Sequence, residues 1–471
     1  MIKKENHTYI GRYKCPLLYY RLVHQWVNHK NAGDYNIKTK EDGKSLFLDG
    51  HMFVNKLDWE SIIFQTSEAI NKQNGDFFMN FFLFGEEEIQ KVLLTVDMLA
   101  SSDKIEVKRF NEFFSALQDM QFPWMLTIPM GNAIESKIKS LLKKHSIPKE
   151  TMQQFFIPEK PTLLINQREE LNHIKDRLEG SGIYEKIKDC SLSDALKIIK
   201  STDEGLYNNI KEHVKQFEWF GMMHLWGDPF NEKEFIKQVI NIKDKPLNKT
   251  EGINLPSDLE WLKKHTEKMT YLRNSFAETC AIASYKSLSA IKKAAESLSL
   301  TLDDARSLSP EELLDGLKGK AIPSLNIINE RKKAFGLVLL DGKSVIITGK
   351  GLQEKIDNFL PKENLKILKG VCASPGIAKG RVKLVFSPED ITKVEKGDII
   401  VAPETTPDFL PAFYKATGII TDMGGITGHA AIVSREFSLP CIVGTKNATR
   451  VLRDNDLIEI NANKGIIKKI K

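Results

Sequence analysis

The apolar positions of the chain follow two regimes. Up to about residue 360 they recur mostly every third or fourth residue, the period of an amphipathic helix. Such runs predict helices near 58–73, 85–100, 107–119, 131–145, 166–189, 193–217 and 232–241. The strongest covers 257–298, where Leu262, Met269, Leu272, Phe276, Cys280, Ala283, Ile291 and Leu298 keep to one stripe. A long helix packed on others is expected there. "SLSPEELLDGL" (307–317) adds a short helix with Ser309 as N-cap and Pro310 at its first position. Two stretches break the helical period. "SLFLDGHMFVN" (45–55) and "FGLVLLDGKSVIITG" (335–349) set short β-rich runs about Asp49-Gly50 and Asp341-Gly342, a hairpin signature.

From 371 to 471 short β-rich runs alternate with brief helical ones. Strands are predicted at 380–386, 398–402, 418–421, 441–444 and 457–460, and helices at 408–415, 428–438 and 446–452. About a hundred residues is a common domain size. The expected fold class is therefore multidomain, α followed by α/β. A mainly helical region, 1–360, divisible into 1–200 and 201–360, precedes a small C-terminal α/β domain, 370–471. Between them lies a polar, lysine-rich linker, 361–369, whose extended reach is about 30 Å.

Composition narrows the function classes. With 471 residues, 41% hydrophobic and 28% charged, the chain has the make-up of a soluble multidomain protein. Its net charge of +6 is weak for this length, and no Lys/Arg block is interleaved with aromatics, so nothing supports a nucleic-acid partner. The five cysteines, Cys15, Cys190, Cys280, Cys372 and Cys441, are far apart and form no C-x-x-C pair. A disulfide framework and a zinc site are not expected, and a cytoplasmic setting is. "MIKKENHTYIGRYKCP" lacks the apolar core of a signal peptide, and no apolar run is long enough to span a membrane.

One stretch carries chemistry: "TDMGGITGHAAIVSRE" (421–436). It reads as a strand end, a loop and a helix. Gly424 and Gly425 permit backbone angles that other residues avoid, and Thr427 is a suitable N-cap. Gly428 and His429 then fall in the first helical turn. Backbone N–H groups there lack intrahelical partners, and the helix dipole favours an anion by roughly 0.3–1 kcal/mol, or about 2 when partly buried. The same field favours a neutral, nucleophilic imidazole. A histidine so placed suits covalent phosphoryl carriage, with the product anion beside those donors, but the residues alone fit a plain capping or surface histidine as well. On the helix wheel Ile432, Val433 and Glu436 share the face of His429, while Ala431 and Ser434 turn away. The first face is mostly apolar and is expected to dock on the sheet.

"TDMGGITGHAAIVSREFSLPCIVGTKNAT" (421–449) resembles the phosphohistidine, or swivelling, domain of the PEP-utilising enzymes, the group that includes phosphoenolpyruvate synthase, pyruvate phosphate dikinase and rifampicin phosphotransferase. "ASPGIAKGRVKLV" (373–385), "KGDIIVAPETTPDFLPAF" (396–413) and "LRDNDLIEINANKGIIKKI" (452–470) resemble its opening, middle and closing segments. Asn455 stands where a glycine is usual, and Gly428 where the family commonly has Cys or Ser. The resemblance implies that His429 is transiently phosphorylated, with Gly424, Gly425, Thr427 and Gly428 supporting the phosphate. Arg435 matches the family's R-E pair but turns away from His429, and no role follows for it.

The resemblance also sets what to look for in 1–370. "HVKQFEWFGMMHLWGDPFNEKEFIKQV" (213–239), the long helix from 257 and "INERKKAFGLVLLDGKSVIITG" (328–349) resemble the central substrate-binding domain of rifampicin phosphotransferase. No glycine-rich phosphate loop of either familiar type occurs there, and "GKSVIITGKG" (342–351) fails both spacings. No ATP-grasp module or phosphoenolpyruvate barrel is recognised. A separate ATP-grasp protein is the implied partner, with Mg and ATP (or phosphoenolpyruvate) at its site and no cofactor or metal on this chain. The acceptor would be a small molecule held by the helical region. Two alternatives stand beside this reading: a nucleotide or phosphoenolpyruvate site of unfamiliar form in the helical region, and a non-catalytic regulatory or binding subunit. The aromatic and Met cluster at 217–226 reads as core, and His213 and His224, with no carboxylate motif between them, do not read as a metal pair.

Overall fold

The computed structural model describes residues 7–12, 16–19, 45–241, 254–340, 343–359, 367–386, 388–405, 409–425 and 428–470. Strands β1 (His7–Arg12), β2 (Ser45–Leu48) and β3 (His51–Asn55) lead into helices α1 (Lys56–Asn71), α2 (Gly75–Ala100), α3 (Val107–Lys144) and α4 (Leu163–Gly180). Next come α5 (Ile183–Ile187), α6 (Leu192–Thr202), α7 (Glu204–Gln216), the hairpin β4 (Met222–Met223) and β5 (Trp226–Gly227), and α8 (Glu232–Asn241). The long α9 (Ser257–Ser297), then α10 (Leu302–Arg306), α11 (Pro310–Leu317) and α12 (Leu325–Lys333), precede β6 (Gly336–Leu340), β7 (Lys343–Ile347) and α13 (Gly349–Phe359).

Helices α2, α3 and α9 pack on one another and bury Phe81, Phe113, Leu117, Leu272 and Phe276 between them. The stripe read from the sequence over 257–298 is thus the buried face of α9. Ser309 and Glu312 form a reciprocal capping box on α11, with Pro310 at its first turn. Between 107 and 145 the sequence predicts two helices, whereas the structure holds one, running through Pro123 and Pro129. The segment around the prolines is buried on several sides (Gln121, Phe122, Met125, Leu126), so tertiary packing overrides the two missing N–H donors.

The two Asp-Gly hairpins merge. Leu46 pairs with Val338 across an antiparallel sheet of order β1-β3-β2-β6-β7, so strands far apart in sequence close one small sheet. Asp49 and Gly50 take φ of 48° and 85°, the double left-handed turn that Asp-Gly favours. Residues 341–342 lie outside the described residues, although β6 and β7 pair on either side of them.

The C-terminal sheet is built from β8 (Ile367–Lys369), β9 (Val371–Ser374), β10 (Ile377–Leu384), β11 (Ile399–Ala402), β12 (Gly418–Thr421), β13 (Cys441–Val443), β14 (Leu457–Asn461) and β15 (Ile466–Lys469). Their order is β8-β15-β14-β10-β11-β12-β13-β9. Strands β10 to β13 run parallel in the centre, and the fully buried Ile399, Ile400, Ile419 and Ile420 line both sides of the sheet, as parallel strands require. The short helices α14 (Leu410–Phe413), α15 (His429–Glu436) and α16 (Ala448–Val451) connect them. Of the expected linker, 361–366 lie outside the described residues and 367–369 form strand β8, paired with β15. The fold class is that of a large, mainly helical region followed by an α/β sheet domain.

The sheet domain rests on the helical region. Val433, Phe437 and Met423 belong to the same buried apolar cluster as the α2–α3–α9 core. The Arg168 guanidinium of α4 lies 5.5 Å from the centre of the Phe437 ring.

Candidate functional site at the start of α15

Strand β12 delivers the chain to the site, and a buried carboxylate fixes how it arrives. Asp422, 3% exposed, accepts hydrogen bonds from the Thr445 hydroxyl (3.0 Å), the Thr449 N–H (3.1 Å) and the Thr449 hydroxyl. Burial pushes this carboxyl above the usual carboxylate range, and the donors from Thr449, Thr445 and Ala448 oppose the rise. Its own N–H reaches Ala402 O (3.1 Å) and that of Met423 reaches Pro403 O (2.8 Å), which ties the strand end to the neighbouring β11. Thr421 Oγ1 donates to Met423 O (2.6 Å).

The two adjacent glycines then serve different needs. Gly424 has φ of 88°, a left-handed conformation, with open space where a Cβ would stand. Gly425 is not left-handed. A Cβ there would collide with the carboxylate of Glu135, which reaches it from α3. Glu135 Oε1 accepts from Lys139, and Oε2 is the oxygen turned onto Gly425.

The loop closes where the Gly428 N–H donates to Gly425 O (3.0 Å). Gly428, not Thr427, is the N-cap, with ψ of 159° and no side-chain capping bond, so His429 is the first helical residue. Thr427 itself lies outside the described residues, as does the side chain of His429. A glycine cap offers no side-chain acceptor of its own to the first N–H groups of α15, which suits the anion-binding character of a helix start. A Cβ on Gly428 would meet its nearest neighbour, Gly425 O, at 3.4 Å, an ordinary contact, so the missing side chain reflects no steric demand.

The helix docks on the sheet by the side opposite to the one its apolarity suggests. Ala431 and Ser434 are fully buried, and α15 packs on β9, β13 and β12. Small side chains at 430, 431 and 434 let the helix approach the sheet, and Ser374 Oγ donates to Ser434 O (3.4 Å). Position 429 therefore falls on the side turned from the sheet. Val433, one turn on, is buried in the cluster shared with the helical region. Arg435 gains a structural role here, since its Nη1 donates to Ala373 O (3.1 Å) and pins the end of α15 to β9. Asn455 takes φ of 68°, which explains how it stands in a glycine's place.

In the helical region the aromatic cluster is core, with Phe217, Trp219, Phe220 and Met222 buried. His213 Nδ1 meets Glu170 Oε2 at 3.0 Å, and burial, opposed by Glu170, lowers its pKa. His224 stacks on Tyr19 (4.4 Å between centroids), near Trp124 (6.0 Å), and burial pushes it down to about 3. The two imidazoles thus take separate places. Among the described residues no three His, Cys, Asp or Glu side chains stand together as metal ligands, and no helix is long and apolar enough to cross a membrane. Sequence reasoning missed Asp422, Glu135 and Arg168. Asp422 lies within the motif and could have been suspected, but nothing local marks Glu135 as a neighbour of Gly425 or Arg168 as a neighbour of Phe437.

Residues 394–465 match the family described as PEP-utilising enzyme, mobile domain. A probable phosphoenolpyruvate synthase of Archaeoglobus fulgidus is 55% identical over 101 residues, 21% of this chain and 13% of that protein. The rifampicin phosphotransferase of Bacillus cereus is 31% identical over 169 residues, 36% of this chain and 19% of that one. The latter match is longer than the whole stretch from 370 to 471, so it includes part of the helical region. The chain therefore spans only a small part of these curated relatives. A solution NMR structure of Enzyme I (nEIt) covers 65% of this chain and 77% of its own at 14% identity, but its TM-score of 0.16 carries no argument. What the sheet, the glycine loop and these matches establish together is that the C-terminal domain belongs to the PEP-utilising enzyme mobile-domain family.

Proposed function

We propose that the chain is a phosphotransferase component in which His429 takes a phosphoryl group from a nucleotide site and hands it to a small-molecule acceptor held by the helical region. The observation that carries this reading is the helix start at His429: an N-cap without a side chain, behind a glycine loop closed by the Gly428–Gly425 bond, in a domain of this family. Such a terminus stabilises the anion formed when the imidazole is phosphorylated. The names of two relatives, a phosphoenolpyruvate synthase and a rifampicin phosphotransferase, fit phosphoryl transfer of this kind. The glycine loop lies against Glu135 of the helical region, where an acceptor site would have to be.

The donor we assign to a separate ATP-grasp protein, with Mg and ATP bound there; phosphoenolpyruvate is the other possible donor. Gly424, Gly425 and Gly428 would support the phosphate through their backbone, and Thr427 through its hydroxyl. A division of the chain before β8 and a cytoplasmic setting belong to the same proposal.

The test is to incubate the chain with radiolabelled ATP or phosphoenolpyruvate, alone and with ATP-grasp proteins, beside His429→Ala. Acid-labile label that requires His429 and a partner is the expected result. Label without a partner would place the donor site within this chain. No label under any condition would leave the regulatory-subunit reading in its place.

A further inference from the structure

One face of α3 opens part-way along the helix. Near its start Phe110, Phe113 and Leu117 are fully buried on that face, whereas Trp124, Ile128 and Gly131 further on are half-buried. Their spacing keeps them on one side of the helix, with Glu135 next in the row. Nothing stands within 4 Å of where a Gly131 Cβ would be, so space lies beside the helix there. Glu135 ends the open stretch against Gly425, about 16 Å along the axis from Trp124 at the helical rise. No residue from 124 to 131 carries a charge.

His224 stands at the Trp124 end, and several features hold it there. His224 and Leu225 make the turn of the β4–β5 hairpin with φ of 53° and 61°, left-handed conformations that neither residue enters freely. Leu225 is buried, and its N–H donates to Ser284 Oγ (2.8 Å), which fixes the turn against α9. The imidazole lies on the Tyr19 ring, and the Tyr19 hydroxyl donates to Gln121 Oε1 (3.3 Å) and accepts from Cys280 Sγ (3.3 Å). Trp124 stands 6.0 Å from the imidazole and 6.4 Å from Phe276, centre to centre. Among the described residues, neither the His224 ring nitrogens nor the Trp124 indole N–H has a hydrogen-bond partner. Burial holds the imidazole neutral, and no described charged group opposes it. Backbone strain that displays a half-buried ring with unused nitrogens marks a place for a ligand.

We infer that the open face of α3 from Trp124 to Gly131, with His224 at its end, binds a flat, uncharged molecule that carries a hydroxyl or carbonyl group. Its rings lie on Trp124 and Ile128 in the space beside Gly131, and its polar group meets the imidazole of His224. A carboxylate or phosphate would find no cation along this face to offset its loss of water. That the molecule is the phosphoryl acceptor rests on the proposed function; its binding does not involve His429.

The probes are 2-naphthol and 2-naphthoate, one ring system bearing a hydroxyl or a carboxylate, in equilibrium dialysis against the full chain. 2-Naphthol is expected to bind at one saturable site, and 2-naphthoate at least about tenfold more weakly. Gly131→Leu fills the space with a better helix former, so it should melt no lower than the wild type while its affinity for 2-naphthol falls about tenfold or more. His224→Asn keeps a residue that tolerates the left-handed turn and should weaken 2-naphthol about fivefold, as loss of one hydrogen bond and one ring face requires. Absence of saturable 2-naphthol binding, or wild-type affinity in both variants, would overturn the inference. Equal affinity for the two probes would overturn the uncharged class. Labelling at His429 is read separately, so failure here and failure of the proposed function are distinct results.

Discussion

The Thr449 N–H donates to Asp422 Oδ1 at 3.1 Å, so the carboxylate at the end of β12 caps the start of α16. This one side chain joins the strand that leads to the glycine loop, the loop after β13 through Thr445, and the helix beyond it. Replacing Asp422 by Ala would leave several buried donors without an acceptor, each costing roughly 1–3 kcal/mol. We expect Asp422→Ala to destabilise the sheet domain by at least about 3 kcal/mol in urea unfolding. Asp422→Asn should cost less, since its carbonyl keeps part of the set. Equal stability of Asp422→Ala and wild type would mean that the loop is anchored elsewhere.

The glycines of the loop are separable by mutation. Gly424→Ala meets open space but strains a left-handed φ of 88°, so it should cost roughly 1–2 kcal/mol in any background. Gly425→Ala meets the Glu135 carboxylate instead, so its effect on domain packing should vanish when Glu135→Ala is added. Gly428→Ser should fold as well as wild type, because a Cβ fits there and a hydroxyl can cap α15. Unfolding curves for the four variants and the double mutant decide this set. A Gly425→Ala defect that Glu135→Ala leaves unchanged would refute the close contact.

Acid should weaken the helical region through two imidazoles, one buried and one half-buried. The folded pKa of His224 is pushed down to about 3 and that of His213 is lowered, against an ordinary value near 6.5. Below pH 6.5 the unfolded chain takes up protons that the folded chain refuses. Stability is therefore fully present above that value and falls as the pH drops toward the folded pKa. Between pH 7 and 5 the His224 contribution is on the order of 1–2 kcal/mol, the lower figure allowing for a residue that is only half-buried. His224→Asn keeps a residue that tolerates its φ of 53° and removes the titrating ring. Its melting temperature should fall less than that of the wild type between pH 7 and 5; an equal fall would place the acid sensitivity elsewhere.

Much of this architecture is legible in the sequence because it is written locally. The apolar stripe from Leu262 to Ile291, the Ser309 N-cap and the Asp49-Gly50 turn depend on residues a few positions apart, and each stands as expected. The central strands of the sheet domain do too. What was not legible involves competition or distance. Pro123 and Pro129 argue for a helix break that burial overrides. The apolar positions of α15 suggested the wrong side for the sheet, because Ala431 and Ser434 are chosen for smallness rather than apolarity. The edge strand β8 falls where a lysine-rich segment reads as linker. Glu135 meets Gly425 only through the way two regions come together, and no periodicity records that.

Asn455 offers the sharpest test of how a departure from the family pattern is accommodated. Its φ of 68° lies in the region that glycine enters freely and asparagine tolerates better than other side chains do. Its N–H donates to Val382 O (2.9 Å) and its Oδ1 accepts from Lys383 (3.3 Å), so the turn before β14 is tied to β10 by backbone and side chain alike. Restoring glycine removes an exposed side-chain bond worth little and relieves a small backbone strain. The two changes oppose each other, and Asn455→Gly should stay within about 0.5 kcal/mol of wild type. A β-branched residue has no such tolerance, and Asn455→Val should lose at least about 1–2 kcal/mol. Urea midpoints of the two variants separate backbone conformation from side-chain bonding: a large loss in Asn455→Gly would mean that the Lys383 bond, and not the left-handed turn, is what asparagine supplies.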